Sequence, residues 1–190
     1  MTFRQLAQRI RVPAGFVLAP LLYISAKPSA STLAAGAFVA VIGLAIRAWA
    51  SGYLKKNEEL TTSGPYAHTR NPLYLGTFLL GSGVAVGGGA LWFVGMFVTF
   101  YLVIYIPVMF AEAETMHEMF AAEYEDYSQQ VPLFAPRLTA YRAPGSRSGG
   151  ETPDSPRRFD SALYLRHREY RAALGFIAVY ALLAIKLSFE

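Results

Sequence analysis

A long apolar run dominates the middle of the chain. Residues 71–111 contain no Lys, Arg, Asp or Glu, which makes a charge-free stretch of 41 residues. Because about 20 helical residues span the hydrocarbon core of a bilayer, this stretch is long enough to cross twice. Three glycines at 87–89 lie near its middle and favour a tight turn there. The pattern predicts a transmembrane helical hairpin over about 72–111.

Further apolar segments flank this hairpin. Residues 28–46 are uncharged and predict one pass, whereas 12–26 are uncharged but short enough to predict a short or re-entrant pass. Residues 1–11 place their apolar side chains on one face, as an interfacial amphipathic helix does. Residues 170–188 predict a C-terminal apolar helix. We therefore expect an all-α, multi-pass integral membrane protein with about five transmembrane helices, forming a single membrane domain over 1–190.

The segment after the hairpin has a different character. Residues 111–130 predict a helix that leaves the membrane, with an apolar stripe at helical spacing. The prolines of "VPLFAPRL" end it, and the Pro-, Gly- and Ser-rich residues 143–158 predict a flexible linker. The stripe consists of Met116, Phe120, Tyr124 and Tyr127.

The basic residues are distributed unevenly along these segments. Charged residues make up only 16% of the chain, against roughly 25% in ordinary soluble domains. With the N-terminus inside, fourteen of the 17 Lys and Arg residues fall on the inner side, as the positive-inside rule requires. The net charge of +4 therefore indicates membrane orientation and contact with membrane lipids, not nucleic-acid binding. Cysteine is absent, which excludes disulfides and thiolate chemistry. The fourteen residues are Arg4, Arg9, Arg11, Lys55, Lys56, Arg70, Arg137, Arg142, Arg147, Arg157, Arg158, Arg166, Arg168 and Arg171.

The start of the hairpin concentrates candidate binding groups. Pro72 suits a first helical turn, and the free N–H groups beyond it, together with Arg70, could anchor a carboxylate. Gly76 would let a ligand or another helix approach closely. An ordinary helix start with a snorkelling Arg and interfacial tyrosines is the alternative interpretation.

Two carboxylates follow at the end of the hairpin. Glu112 and Glu114 lie about 200° apart on a helix, so they cannot face one pocket. Because a hairpin brings its ends together, Glu112 is expected beside Arg70, as a structural pair or as part of a ligand site. Gly83 and Gly87 favour helix packing over ligand contact. The three histidines lack metal-ligand spacing, so no metal site is predicted.

The stretch "LTTSGPYAHTRNPLYLG" resembles the signature of the isoprenylcysteine carboxyl methyltransferase family and its phospholipid methyltransferase relatives. The resemblance extends over residues 60–138, which include the family's Glu-bearing helix, its aromatic stripe and its closing Val-Pro segment. Three positions depart from the family pattern. Asn71 replaces a His, Ala113 replaces a second Glu, and Ala121 replaces a Gly.

The resemblance implies methyl transfer from S-adenosylmethionine to a lipophilic acceptor at the inner membrane face. It implies that Arg70 orients the substrate or the cofactor carboxylate, and that Glu112 binds the cofactor's ammonium or ribose hydroxyls. The acceptor stays open among a prenylated cysteine, a phospholipid amine and a small apolar molecule, and the pattern carries no information on oligomeric state. The implied cofactor pocket is lined by Tyr66, His68, Asn71, Pro72, Tyr74, Gly76 and Glu112.

Two other functions compete with this interpretation. Sterol reductases share a similar Arg-x-Pro-x-Tyr hairpin start, which would imply NADPH as the cofactor. A non-catalytic membrane protein could keep the hairpin only as a fold, and the loss of the carboxylate at Ala113 is compatible with that.

Overall fold

The structure is a computed structural model and describes residues 3–55, 59–142 and 159–189. These ranges contain helices and no strand, which confirms the predicted all-α class. A 3₁₀ turn at Gly64–Ala67 precedes the central hairpin. The α-helices are α1 (Phe3–Ser25), α2 (Ala30–Ser51), α3 (Pro72–Gly87), α4 (Leu91–Gln130), α5 (Ser161–Arg166) and α6 (Tyr170–Phe189).

Helices α3 and α4 form the predicted hairpin, and its turn lies at the glycine cluster. Gly89 has a φ of +73°, a left-handed conformation that glycine adopts without strain. A Cβ at this position would also lie 2.1 Å from the Lys27 carbonyl oxygen. The Lys27 N–H donates to the Gly88 carbonyl at 2.8 Å. The turn between α1 and α2 therefore packs against the hairpin turn at one end of the bundle, which we call the turn face.

Small residues bring α2 and α3 into close contact. A Cβ on Gly43 would lie 2.5 Å from the Leu80 backbone nitrogen. A Cβ on Gly83 would lie 2.5 Å from the backbone nitrogen of Ala40 and from the Gly36 carbonyl oxygen. These backbones can approach only because side chains are missing, which confirms helix packing as the role of Gly83.

Three helices, α2, α4 and α6, are long and apolar enough to cross a membrane. The apolar part of α1 and the 16-residue α3 are shorter. Lys186 Nζ near the end of α6 donates to the Tyr23 carbonyl at 2.7 Å, which places that end at the turn face as well. Five helices thus run between the turn face and an opposite end, the site face, where α2 ends and α3 begins.

The N-terminal segment differs from the prediction. An interfacial helix over 1–11 and a separate short pass over 12–26 were expected, but α1 is one helix from Phe3 to Ser25. It continues through Pro13 and Pro20. Prolines are tolerated inside membrane helices because neighbouring groups satisfy the freed carbonyls. The predicted linker at 143–158 lies outside the described residues.

Helix α4 continues 20 residues past its apolar part and carries the predicted stripe. Its path is broken at Ala121, which has φ 34° and ψ −108°. The helix ends at Gln130, directly before the Val-Pro segment, as predicted. The stripe packs in a cluster at the site face, made up of Ala67, Tyr124, Tyr127, Val131 and Tyr141 with Leu60, Ala113, Met116 and Phe120 around them.

Candidate functional site

The loop before α3 is held in place by the segment that follows α4. The Arg70 N–H donates to the Pro132 carbonyl at 3.0 Å, and the Arg137 N–H donates to the His68 carbonyl at 2.9 Å. These backbone contacts join parts of the chain more than 60 residues apart, so they fix the loop at the hairpin mouth, where α3 begins and α4 leaves the apolar run.

Two of the predicted cofactor residues take part in this attachment. His68 Nδ1 lies 2.9 Å from the Arg137 carbonyl oxygen, so this ring nitrogen carries the proton that it donates. The Asn71 side-chain amide donates to the Leu133 carbonyl at 2.9 Å. Both side chains therefore hold the loop, and only their remaining polar atoms can face a ligand.

The first turn of α3 meets α4 through a carboxylate. Pro72 occupies the first helical turn, where a proline costs no hydrogen bond. Two residues later in the same turn, the Tyr74 hydroxyl donates to Glu112 Oε1 at 2.6 Å. Glu112 is half-buried, whereas Glu114 is exposed, as the helical angle between them predicts.

Arg70 lies at the same mouth with an incomplete set of partners. Its Nη1 donates to the Tyr124 hydroxyl at 3.1 Å, and its guanidinium lies 5.9 Å from the centre of the Tyr124 ring. Among the described residues its buried Nε has no hydrogen-bond partner. A buried donor without a partner is costly, so this atom marks a place where an acceptor from a ligand would be stabilising.

Ala113 lies beside these groups. It packs against the cluster that contains Tyr124, the hydrogen-bond partner of Arg70. The carboxylate that the family pattern has at this position is therefore replaced by an apolar contact with the aromatic stripe.

Tyr66 is buried near the hairpin mouth, and its hydroxyl lies within the electrostatic influence of three charged side chains. Burial raises the pKa of its hydroxyl, and the nearby negative charges of Glu169 and then Glu112 raise it further, while Arg47 lowers it. Tyr66 thus stays protonated at neutral pH. Its backbone carbonyl accepts a hydrogen bond from the Tyr127 hydroxyl at 2.7 Å, which ties the loop to the stripe on α4.

An ion pair beside the mouth was not predicted. Arg47 on α2 donates to Glu169 Oε2 from Nε at 3.0 Å and from Nη2 at 2.7 Å. Its Nη1 donates to the Thr77 hydroxyl and to the Leu73 carbonyl on α3. Arg47 therefore connects the start of α6 to the first turns of α3. The sequence signal for it is an arginine inside an apolar segment, which usually faces a partner or a polar cavity.

Gly76 belongs to this packing. A Cβ there would lie 2.6 Å from Arg47 Cγ and 2.7 Å from the Gly43 carbonyl oxygen. Of the two possibilities that the sequence left open, approach of a ligand or of a helix, the structure places α2 and the stem of Arg47 against Gly76.

The comparison with known families fits this geometry. The sequence model of the phospholipid methyltransferase family matches residues 31–123, which include α2, the hairpin and the positions of Tyr66, Arg70, Tyr74 and Glu112. This match to a family of membrane methyltransferases confirms the resemblance found in the sequence. Tyr124 and Glu169 lie outside the match.

Two curated relatives have names that refer to metal resistance. The chain is 32% identical over 142 residues to the cobalt-zinc-cadmium resistance protein CzcN of Cupriavidus metallidurans, covering 70% of this chain and 64% of that protein. It is 28% identical over 117 residues to the nickel-cobalt-cadmium resistance protein NccN of Alcaligenes xylosoxydans xylosoxydans, covering 60% of this chain and 54% of that protein. The chain thus spans less than two thirds of either relative. No solved structure matches it.

Proposed function

We propose that the protein transfers a methyl group from S-adenosylmethionine to a lipophilic acceptor, a carboxylate or an amine, at the cytoplasmic face of the membrane. The observation that carries the proposal is a carboxylate, Glu112, held by Tyr74, together with a buried Arg70 Nε that has no hydrogen-bond partner among the described residues, both inside the region that matches the methyltransferase family. The basic-residue bias of the sequence supports the cytoplasmic assignment, because two described segments counted as inner, the loop before α3 and residues 131–142, lie at the site face.

The charged groups at the hairpin mouth fit this cofactor. S-adenosylmethionine has one carboxylate, one ammonium and one sulfonium, so it needs an Arg and an acidic group rather than several basic residues. Arg70 Nε is a buried donor without a partner among the described residues, and Glu112 has Tyr74 on one oxygen only. We assign Arg70 to the cofactor carboxylate or the acceptor, and Glu112 to the ammonium or the ribose hydroxyls.

The same charged groups disfavour NADPH as the cofactor. That cofactor carries a 2′-phosphate and a pyrophosphate and is usually held by several basic groups. Near this mouth Arg47 is already paired with Glu169, whereas Arg70 Nε has no hydrogen-bond partner among the described residues. The balance of charge therefore supports the methyltransferase over the reductase.

The protein's own groups have separate tasks in this proposal. When bound, S-adenosylmethionine supplies the methyl group. Tyr74 holds the Glu112 carboxylate, Tyr124 holds Arg70, and the bonds between the 64–71 loop and the 131–141 segment keep both at fixed positions. Such positioning provides much of the rate enhancement in displacement reactions. An amine acceptor must arrive unprotonated, whereas a carboxylate needs no base.

No metal site forms part of the proposal. In the part of the chain that the structure describes, no group of three or more His, Cys, Asp or Glu side chains is placed to hold an ion. The names of the two relatives refer to metal resistance. We propose that this protein shares a methyltransferase region with them, and we do not extend metal resistance to it.

Transfer of a labelled methyl group tests the proposal directly. Purified protein in lipid vesicles is incubated with methyl-labelled S-adenosylmethionine and a total membrane lipid extract, and the organic-soluble product is identified by mass spectrometry. We expect label in that phase with the wild type and at least tenfold less with Glu112→Gln. Label that is absent with the wild type, or equal with Glu112→Gln, contradicts the proposal.

A further inference from the structure

A groove opens between α2 and the C-terminal helices beside the ion pair. It has a volume of about 300 Å³, at the lower end of the range for small-molecule sites. Along α2 it extends from Val41 to Ala48, about 10 Å of helix. The residues that line it are Val41, Leu44, Ala45, Arg47, Ala48, Tyr164, Glu169 and Ala173.

The chemistry of the groove changes along its length. The walls are apolar, and Val41 is 53% exposed on a helix that is long enough to cross the membrane. The Arg47–Glu169 pair lies at the site-face end, with side chains only 21% and 12% exposed. An apolar channel that ends in a partly buried polar pair matches an amphiphile, whose chain stays in the membrane while its head reaches the boundary.

The ion pair leaves one carboxylate oxygen of Glu169 able to accept further hydrogen bonds. Both Arg47 contacts with Glu169 end on Oε2, and no hydrogen bond among the described residues ends on Oε1. A carboxylate oxygen accepts about two hydrogen bonds, so Oε1 can accept from a head group. The Glu169 carboxylate would instead repel an anionic head group.

The groove also adjoins the candidate site. Glu169 and Arg47 from the groove and Glu112 from the hairpin mouth all act on the hydroxyl of Tyr66. Arg47 additionally donates to the Leu73 carbonyl, one residue before Tyr74. A head group held at Glu169 would thus lie near the Tyr66 hydroxyl, on which Glu112 also acts.

We propose that this groove binds the methyl acceptor, an amphiphile whose apolar chain lies between α2 and α6 and whose head donates a hydrogen bond to Glu169. The inference rests on the proposed function for the identity of the occupant as acceptor. It assigns a specificity-determining role to Glu169, which lies outside the region that matches the family.

Protection of an engineered cysteine tests this site. The chain has no cysteine of its own, so Ala173→Cys places one thiol in the groove, and Gly175→Cys places a matched thiol on α6 where nothing lies within 4 Å. Full-length protein is reconstituted in phosphatidylcholine vesicles, a lipid whose head lacks N–H and O–H donors. The rate of reaction with N-ethylmaleimide is measured with dodecylamine, dodecanol or dodecanoate present.

We expect dodecylamine and dodecanol to slow labelling of Ala173→Cys at least fivefold, dodecanoate to slow it less than twofold, and Gly175→Cys to be unaffected. Adding Glu169→Gln should abolish the difference between dodecylamine and dodecanoate. Equal protection by all three amphiphiles, protection by none, or equal protection at Gly175→Cys overturns the inference. This assay contains no cofactor and therefore reports binding alone. If the groove is protected here but the labelled-methyl experiment shows no transfer, the proposed function is rejected and the groove remains a binding site.

Discussion

The Tyr74 hydroxyl donates a 2.6 Å hydrogen bond to Glu112 Oε1 across the mouth of the α3–α4 hairpin. The two residues lie 38 positions apart, at the two ends of a stretch without formal charge. Their contact holds a carboxylate at the membrane boundary with its second oxygen, Oε2, lacking a hydrogen-bond partner among the described residues. A carboxylate in this position is a binding group whose loss should be measurable.

Replacing that carboxylate tests its role. Glu112→Gln keeps the size of the side chain and an acceptor for Tyr74 but removes the charge. We expect binding of S-adenosylhomocysteine to weaken by about 1.5–3 kcal/mol, the range for a hydrogen bond to a charged group, as measured by isothermal titration calorimetry. Glu114→Gln is the matched control, since this exposed side chain lies on another side of α4. Equal losses from both variants would refute the assignment.

The break in α4 gives a prediction about stability. Ala121 has φ 34° and ψ −108°, a region that is open to glycine but costs other residues about 1–3 kcal/mol. Ala121→Gly should therefore stabilise the protein by about 1 kcal/mol after the entropic cost of glycine. In the neighbouring control, Ala122→Gly should destabilise it by about 1 kcal/mol, because this exposed residue is helical. Denaturant unfolding compares the two, and a loss of stability in both variants would show that the break is not strained.

The close packing of α2 on α3 predicts that a glycine-to-alanine change lowers stability at Gly43 but not at Gly95. Gly43→Ala would bring a Cβ to 2.5 Å from the Leu80 backbone nitrogen, and overpacking of this kind costs about 1–3 kcal/mol. Gly95 has nothing within 4 Å, so Gly95→Ala should leave the melting temperature unchanged or raise it. Similar destabilisation at both positions would contradict the packing of α2 on α3.

The arrangement of the helices predicts which positions share a side of the membrane. Ser63 and the 98% exposed Leu138 lie at the site face, whereas the 86% exposed Leu91 lies at the turn face. Single cysteines at these positions are labelled in intact spheroplasts with an impermeant maleimide. We expect Leu91→Cys alone to react before lysis and all three to react afterwards. Labelling of Ser63→Cys and Leu138→Cys from opposite sides would contradict the topology.

Much of this architecture follows from local sequence patterns. The charge-free run and the glycines at 87–89 predict the α3–α4 hairpin because both the length of a pass and the need for a turn are local properties. The stripe on α4 is equally predictable from its spacing. The polar and aromatic residues around Arg70 likewise indicate where the site lies.

Other features depend on contacts that local patterns do not encode. The Arg47–Glu169 pair joins residues 122 positions apart, and nothing near Glu169 in the sequence points to α2. Gly76 could equally have faced a ligand or a helix, and only the packing of α2 decides between them. The continuity of α1 was missed because the arginines among residues 1–11 set that segment apart, as an interfacial helix, from the uncharged residues 12–26.

Cofactor choice tests the central claim most directly. The melting temperature of the detergent-solubilised protein is measured with S-adenosylmethionine, S-adenosylhomocysteine or NADPH, for the wild type and for Glu112→Gln. A ligand present at 100 times its dissociation constant stabilises the folded state by about 2.7 kcal/mol, which is readily detected. We predict stabilisation by both S-adenosyl compounds, a smaller shift in Glu112→Gln, and none with NADPH. Stabilisation by NADPH alone would contradict the account in favour of a reductase, and no shift with any of the three would favour a non-catalytic protein.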